Sequence, residues 1–537
     1  MRRAGIVLCA LAACAAAMAI VASVALGSAV VSTDQGQVRG VETPTAKKFL
    51  GIPYAAPPVG DLRWRPPAPA ARWGGPLDAS RYGNHCPQPA SPFGQASTTE
   101  DCLYLNVYTP NRKFPQGKGK GKGLARKRLP VMVWIHGGAL AVGEGDEYDP
   151  TKLLEKDAIV VTFNYRLGWL GFLAHPALSA ESGYQGSGDY GLMDQQAALR
   201  WVQRNIARFG GNPNNVTIFG ESAGGLSVHS HLVSPLSAGL FHRGIAQSGA
   251  YALDLPSLAS AEAQGNTFAQ NEGCADPANA ACLRNVSVAN VLAIQPTTTG
   301  SVVPNVDGNV LPRSIGAALD SGDFNRVPVI EGSTHDEFSL FAALNVEFVF
   351  GQLPAFLYPV VVNTFAATVG LNADPAAVIA QYPVSNYGDS VGRALTAIGT
   401  DALFACPARR ATGSLSKFVP TYAYEFADPN APQIFIRPAS FPYGAYHASE
   451  VQYLFDVPNQ TGAPPLDAAQ QQLADTMKRY WTQFARAGDP NGAGTPSWPR
   501  YTTANDTFQS LAPPTPAPVT GFAADHKCAF WEAQAGQ

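Results

Sequence analysis

Short apolar runs set the rhythm of this chain. Cys102-Leu-Tyr-Leu-Asn-Val-Tyr108, Leu129-Pro-Val-Met-Val-Trp-Ile135, Ala158-Ile-Val-Val-Thr-Phe-Asn164, Asn215-Val-Thr-Ile-Phe219 and Asn325-Arg-Val-Pro-Val-Ile-Glu331 are too short for ordinary helices. Their β-branched and aromatic content predicts strands. Phe49-Leu-Gly-Ile-Pro-Tyr54 belongs to a stretch of short strands and turns from Val31 to Trp73, in which prolines crowd Pro57 to Pro69 into irregular surface. Helical spacing shows between the strands. Met193 to Phe209 puts Ala198, Val202, Ile206 and Phe209 on one stripe, and Gly210-Gly-Asn-Pro213 ends it. Residues Gly225 to Val233 can continue as a helix, and Leu466 to Ala487 forms a long one before Gly488-Asp-Pro490. Strands alternating with helices predict an α/β fold with a large, mostly parallel central sheet flanked by helices. The length of 537 residues would allow several domains, but no break interrupts the pattern, so one large domain over 30–537 is expected.

Composition adds limits rather than direction. The chain is 46% hydrophobic with a net charge of −3, which gives no reason to expect nucleic acid or an anionic membrane as a partner. A basic run from Lys118 to Arg128 could attach to polyanions, but its alternating glycines read better as a solvated hairpin loop. The N-terminus departs from the rest. Met1-Arg-Arg3 precedes an alanine-rich apolar run with small residues at Ala25-Leu-Gly27-Ser-Ala29, the pattern of a secretory signal peptide over 1–29. The run is also long enough to span a bilayer, so an uncleaved anchor is one alternative, and Leu11-Ala-Ala-Cys14, which resembles a bacterial lipoprotein box, is another. A secreted or extracytoplasmic protein, without stable membrane insertion after cleavage, is the expectation.

Cysteine usage agrees with export. Without Cys9 and Cys14 in the leader, six of the eight cysteines remain: Cys86, Cys102, Cys274, Cys282, Cys406 and Cys528. An even number predicts disulfides, and six cysteines permit fifteen pairings. Proximity favours Cys86–Cys102 and Cys274–Cys282, leaving Cys406 with Cys528. No pair has CxxC spacing or a nearby histidine cluster, so no metal site is expected.

Candidate chemistry starts at Gly220-Glu-Ser222-Ala-Gly224, directly after the Asn215–Phe219 run. A strand, a tight glycine-flanked turn and a helix are the context of a nucleophile elbow, with Ser222 at a helix N-terminus. Gly388-Asp-Ser390-Val-Gly392 has the same spacing, but no uninterrupted apolar strand precedes it. A serine hydroxyl needs a base and an orienting acid. Gly332-Ser-Thr-His-Asp-Glu337 follows a predicted strand, and Tyr443-Gly-Ala-Tyr-His447 offers a histidine further on. The order Ser222…Glu337…His447 is that of an α/β-hydrolase. His136-Gly-Gly-Ala-Leu140, after the Leu129–Ile135 strand, can supply backbone N–H groups to an oxyanion.

Several uncommon motifs then occur in one order. Phe49-x-Gly-Ile-Pro-Tyr-Ala55, Glu100-Asp-Cys-Leu-Tyr-Leu-Asn106, His136-Gly-Gly, Asn164-Tyr-Arg-Leu-Gly168, Phe219-Gly-Glu-Ser-Ala-Gly-Gly225, Asp336-Glu337, His447-x-x-Glu450 and Asp489-Pro-Asn491 span the chain. In these it resembles the type-B carboxylesterases, a group including liver carboxylesterases, cholinesterases and bacterial esterases. The resemblance implies an α/β-hydrolase with Ser222 as nucleophile, His447 as general base and Glu337 as the acid orienting it. It implies oxyanion donors on Gly138, Ala139 and Ala223, with Glu221 and Ser248 supporting the triad. The disulfide pairing favoured by proximity matches the family's. Ala139 replaces a family glycine, which keeps the N–H but narrows the space beside it. Leu140 stands where many members carry an aromatic residue, and Phe338 where a glycine usually follows Asp-Glu. The short Cys86–Cys102 segment has no tryptophan to hold a quaternary ammonium, which argues for a bacterial-type carboxylesterase rather than a cholinesterase.

The expected reaction is hydrolysis of a small-molecule carboxylic ester through an acyl-enzyme, with no metal or organic cofactor. A non-enzymatic adhesion or binding module on the same fold is one rival reading, and the complete serine, acid and histidine set weighs against it; another keeps the enzyme and changes the substrate to lipids, amides or carbamates. The sequence leaves the acyl and alcohol groups, the oligomeric state and glycosylation at the Asn215, Asn285, Asn459 and Asn505 sequons open.

Overall fold

A computed structural model describes residues 27–111, 128–294 and 302–535. The leader up to residue 26 and the basic run, apart from Arg128, lie outside the described residues. The first described strand, β1 (Gly27–Ser32), takes in the last three residues of the stretch assigned to the leader.

The apolar runs become the middle of one sheet of thirteen strands among the described residues. After β1 come β2 (Gln37–Glu42), β3 (Ala46–Pro53), the short β4 (Leu77–Asp78), β5 (Tyr104–Pro110), β6 (Leu129–Ile135) and β7 (Ile159–Phe163). Then follow β8 (Gly211–Glu221), β9 (Arg243–Gln247), β10 (Val329–Thr334), β11 (Thr421–Phe426), β12 (Phe508–Leu511) and β13 (Ala517–Val519). Their spatial order is β1-β2-β3-β5-β7-β6-β8-β9-β10-β11-β12-β13, with β4 beside β2. Every pair from β7 through β12 is parallel, whereas β1-β2-β3-β5-β7 and β12-β13 are antiparallel. The parallel arrangement expected from the alternation thus holds for the centre of the sheet, with antiparallel edges.

Two-residue periodicity sends side chains to two cores, one on each face of the sheet. Val131, Val133 and Ile135 of β6, with Val216 and Ile218 of β8, enter one core; Met132, Trp134 and Phe219 enter the other. Helix Tyr190–Asn205 covers the first face through Ala198, Leu199, Trp201 and Val202. The expected stripe is buried, although the last turn from Ile206 to Phe209 tightens to a 3-10 helix before Gly210, which has φ 93°. The long helix Ala468–Ala487 covers the second face with Leu473, Met477, Trp481 and Phe484. Asp467 and Gln470 form a reciprocal capping box at its start, and Gly488 ends it in the left-handed region. Among the described residues no single helix is long and apolar enough to cross a bilayer.

The disulfides are Cys86–Cys102, Cys274–Cys282 and Cys406–Cys528, the set that proximity favours.

Candidate active site

Strand β8 delivers Ser222. The strand lies between β6 and β9 at the centre of the sheet, and the chain reverses at Ser222 into helix Ala223–Val233. Ser222 has φ 57° and ψ −120°, a conformation that costs a non-glycine residue about 1–3 kcal/mol. Its N–H donates to the Gln247 carbonyl of β9 at 2.8 Å, and its carbonyl accepts from Leu226 at 2.9 Å, so both sides of the turn are tied down. Close approach explains the glycine two residues on. A Cβ on Gly224 would lie 1.9 Å from the Ile135 carbonyl oxygen at the end of β6. The competing serine, Ser390, is an ordinary N-cap: it follows a 3-10 turn, and its side chain accepts from the Arg393 N–H at 3.3 Å.

Glu337 and His447 meet at the C-terminal ends of the same strands. Glu337, three residues past β10, is fully buried and accepts the Thr334 N–H at 2.7 Å. Its other oxygen lies 2.5 Å from Nδ1 of His447. Asp336 joins the loops that carry these two residues: its N–H donates to the Ala445 carbonyl, and its carboxylate accepts the Ala445 N–H, both at 2.9 Å. The far imidazole nitrogen, Nε2, lies 3.2 Å from the Glu221 carboxylate, the residue before Ser222. That contact is close enough for ion pairing but misaligned for a hydrogen bond, and among the described residues Nε2 has no hydrogen-bond partner.

The oxyanion candidates face the same turn. Gly138, Ala139 and Leu140 have φ of 99°, 55° and 58°, so the chain coils left-handed after β6. Among the described residues no backbone or side-chain group accepts from the Gly138 or Ala139 N–H, and Ala223 is the first residue of its helix, where the N–H has no intrahelical acceptor. A Cβ on Gly137 would lie 3.2 Å from that of Ser222, so this turn is packed against the elbow. His136 behind it is stacked on Tyr165 at 4.3 Å and held down to about 4 by burial.

Buried carboxyls set the electrostatics. Burial pushes Glu221 up to about 8 and Glu450 up to about 7. Burial alone would lower His447, but the charges of Glu221, Glu337 and Glu450 outweigh it and carry the imidazole up to about 9. These groups share protons, and the apparent pKa values belong to the set. Gln247 organises one side of it, donating to Glu450 at 3.0 Å while accepting the Trp481 indole N–H at 3.0 Å. Ser248, at φ 53°, keeps a buried hydroxyl without a partner among the described residues.

Two aromatic residues escape the motif reading. Phe341 and Phe404 lie with ring centroids 4.9 and 5.1 Å from the imidazole of His447. Phe341 sits one helical turn past Glu337, so its spacing was a usable signal; Phe404, in a later helix, had none. By contrast Leu140 is fully buried, and Phe338 packs on Phe365 and over Gly399.

A serine elbow on the central strand of a largely parallel sheet, with an acid and a histidine brought to the same strand ends, defines the α/β-hydrolase class. Comparison with known proteins gives the family. The carboxylesterase family model matches residues 27–531. The chain is 36% identical to an acylcarnitine hydrolase of Mus musculus, covering 87% of this chain and 85% of that one. It is 34% identical to a cocaine esterase of Homo sapiens (93% and 88%) and 36% identical to a fumonisin B1 esterase of Sphingopyxis macrogoltabida (87% and 84%). A solved PNB esterase superimposes with a TM-score of 0.75 at 31% identity, covering 93% of this chain and 99% of its own. The chain belongs to the carboxylesterase family and is a carboxylic ester hydrolase.

Proposed function

We propose that this protein hydrolyses small-molecule carboxylic esters through an acyl-enzyme on Ser222. The observation that carries the reading is the 2.5 Å contact between Glu337 and Nδ1 of His447, which leaves Nε2 turned toward the strained elbow. Held in this tautomer, His447 takes the Ser222 proton as the hydroxyl oxygen attacks the ester carbonyl. The N–H groups of Gly138, Ala139 and Ala223 receive the developing oxyanion. As the tetrahedral intermediate collapses, His447 returns the proton to the departing alcohol. Water, activated by the same imidazole, then releases the acid and restores Ser222. Glu337 stabilises the imidazolium in both steps. The charged leader pattern and the three disulfides support export of the mature protein.

The relatives are named as an acylcarnitine hydrolase, a cocaine esterase and a fumonisin B1 esterase, which supports ester hydrolysis by this chain. Ser222→Ala is expected to lower kcat on a p-nitrophenyl ester by about 10⁴-fold or more with the fold intact. A fluorophosphonate should label the wild type and leave that variant unlabelled. Near-wild-type turnover by Ser222→Ala would sink the assignment.

A further inference from the structure

A second cluster of ionisable side chains lies beside the oxyanion turn and has no part in the reaction above. His85 immediately precedes the Cys86–Cys102 segment, while Glu144 and Asp146 follow the turn that begins at Gly137. One imidazole nitrogen of His85 lies 3.2 Å from Glu144 and the other 3.0 Å from Asp146. A ligating atom from each of the three falls within 4.8 Å of the others. Two donors on one ion, each at about 2.0–2.2 Å, are at most about 4.4 Å apart, so small side-chain adjustments suffice to bring all three onto one cation.

Charge and hydrogen bonding leave this cluster incomplete. Glu144 is fully buried, and one of its oxygens already accepts the Gln95 N–H at 3.1 Å. Its other oxygen, and one oxygen of Asp146, are buried with no hydrogen-bond partner among the described residues. Among those residues, neither carboxylate pairs with any lysine or arginine; His85 is the only ion-pair partner of both. One imidazolium cannot balance two carboxylates, and a buried carboxylate oxygen left bare is costly.

We propose that His85, Glu144 and Asp146 bind one divalent cation of the Zn²⁺ type. An imidazole with two carboxylates is a donor set suited to Zn²⁺ rather than to Ca²⁺, which favours oxygen alone. The cation would clip the Cys86–Cys102 segment to the chain just past the oxyanion turn. Gln88 already bridges the same two segments, accepting the Gly143 N–H at 2.7 Å and donating to the Gly143 carbonyl at 3.1 Å. The site's role is therefore structural, holding the donors of Gly138 and Ala139 in place from behind.

The test uses the whole mature protein after chelator treatment, dialysed against Zn²⁺ or Ca²⁺, with bound metal counted and thermal unfolding followed. Wild type should take up one equivalent of Zn²⁺ saturably and unfold at a higher temperature with it. Asp146→Asn, partly exposed and isosteric, should bind Zn²⁺ at least about tenfold more weakly. His85→Gln should do the same, and serves if the first variant fails to fold. No saturable uptake by wild type, uptake unchanged in the folded variants, or preference for Ca²⁺ would each overturn the proposal. Metal uptake is read without any ester, so its failure is distinct from failure of the Ser222 assignment.

Discussion

Three buried carboxyls surround one imidazole at His447, more negative charge than orienting a tautomer requires. Against the lowering by burial, the charge of Glu221 raises His447 together with the charge and hydrogen bond of Glu337. If His447 is the general base as proposed, it works only when unprotonated, so the acid limb of the kcat/KM profile should lie above the ordinary imidazole value of about 6.5. Replacing Glu221 by Gln removes a nearby negative charge that favours the imidazolium. The imidazole pKa then falls, and the acid limb should move to lower pH by on the order of one unit. A pH–rate profile of Glu221→Gln superimposable on that of wild type would refute this coupling. The residues proposed for the triad could be singled out in the sequence because each sits in a short local motif. Phe404 could not, because its neighbour His447 arrives from a different part of the chain.

At the scale of elements, the site depends on where loops meet. The segments carrying Glu337 and His447 are far apart in sequence, and the paired hydrogen bonds between Asp336 and Ala445 make them one unit. Asp336→Ala should lower kcat about 10- to 100-fold with little change in KM, since a displacement of about 1 Å costs that much in rate. A fall in KM-dependent binding with kcat preserved would show that Asp336 does not position the pair. Elements with regular apolar spacing were legible: β6, β7, β8 and both long helices lie within a few residues of their predicted bounds. Strands β9 and β11 were not. Arg243-Gly-Ile-Ala-Gln247 has only two apolar side chains among five residues, and Thr421-Tyr-Ala-Tyr-Glu-Phe426 carries a glutamate in a buried position. Glu425 fits there because His526, from near the C-terminus, contacts it at 2.7 Å. No local pattern could show that partner.

Across the whole molecule, the three disulfides contribute unequally. Cys274–Cys282 closes a separation of 8 residues and Cys406–Cys528 one of 122. Loop-closure entropy assigns the longer bridge about 5 kcal/mol, against about 2.5 for the shorter. Cys406→Ser with Cys528→Ser should therefore lower Tm clearly more than Cys274→Ser with Cys282→Ser. Equal losses would place the stabilisation in local packing instead. The long bridge also anchors the C-terminal helix beside His526, whose two nitrogens each lie 2.7 Å from a carboxylate, those of Asp401 and Glu425.

Hydrophobic periodicity by itself determined the alternation of strands and helices, and the order of motifs marked Ser222, Glu337 and His447 as the candidate serine, acid and histidine. Both are local properties, carried by a few neighbouring residues. Tertiary structure alone decided what depends on residues meeting from distant segments. It set the antiparallel edges of the sheet and the burial that lifts Glu221 and Glu450. It also placed Phe341 and Phe404 beside His447, and His85 against Glu144 and Asp146. Burial and electrostatic coupling act through space, so residues tens or hundreds of positions apart set them together.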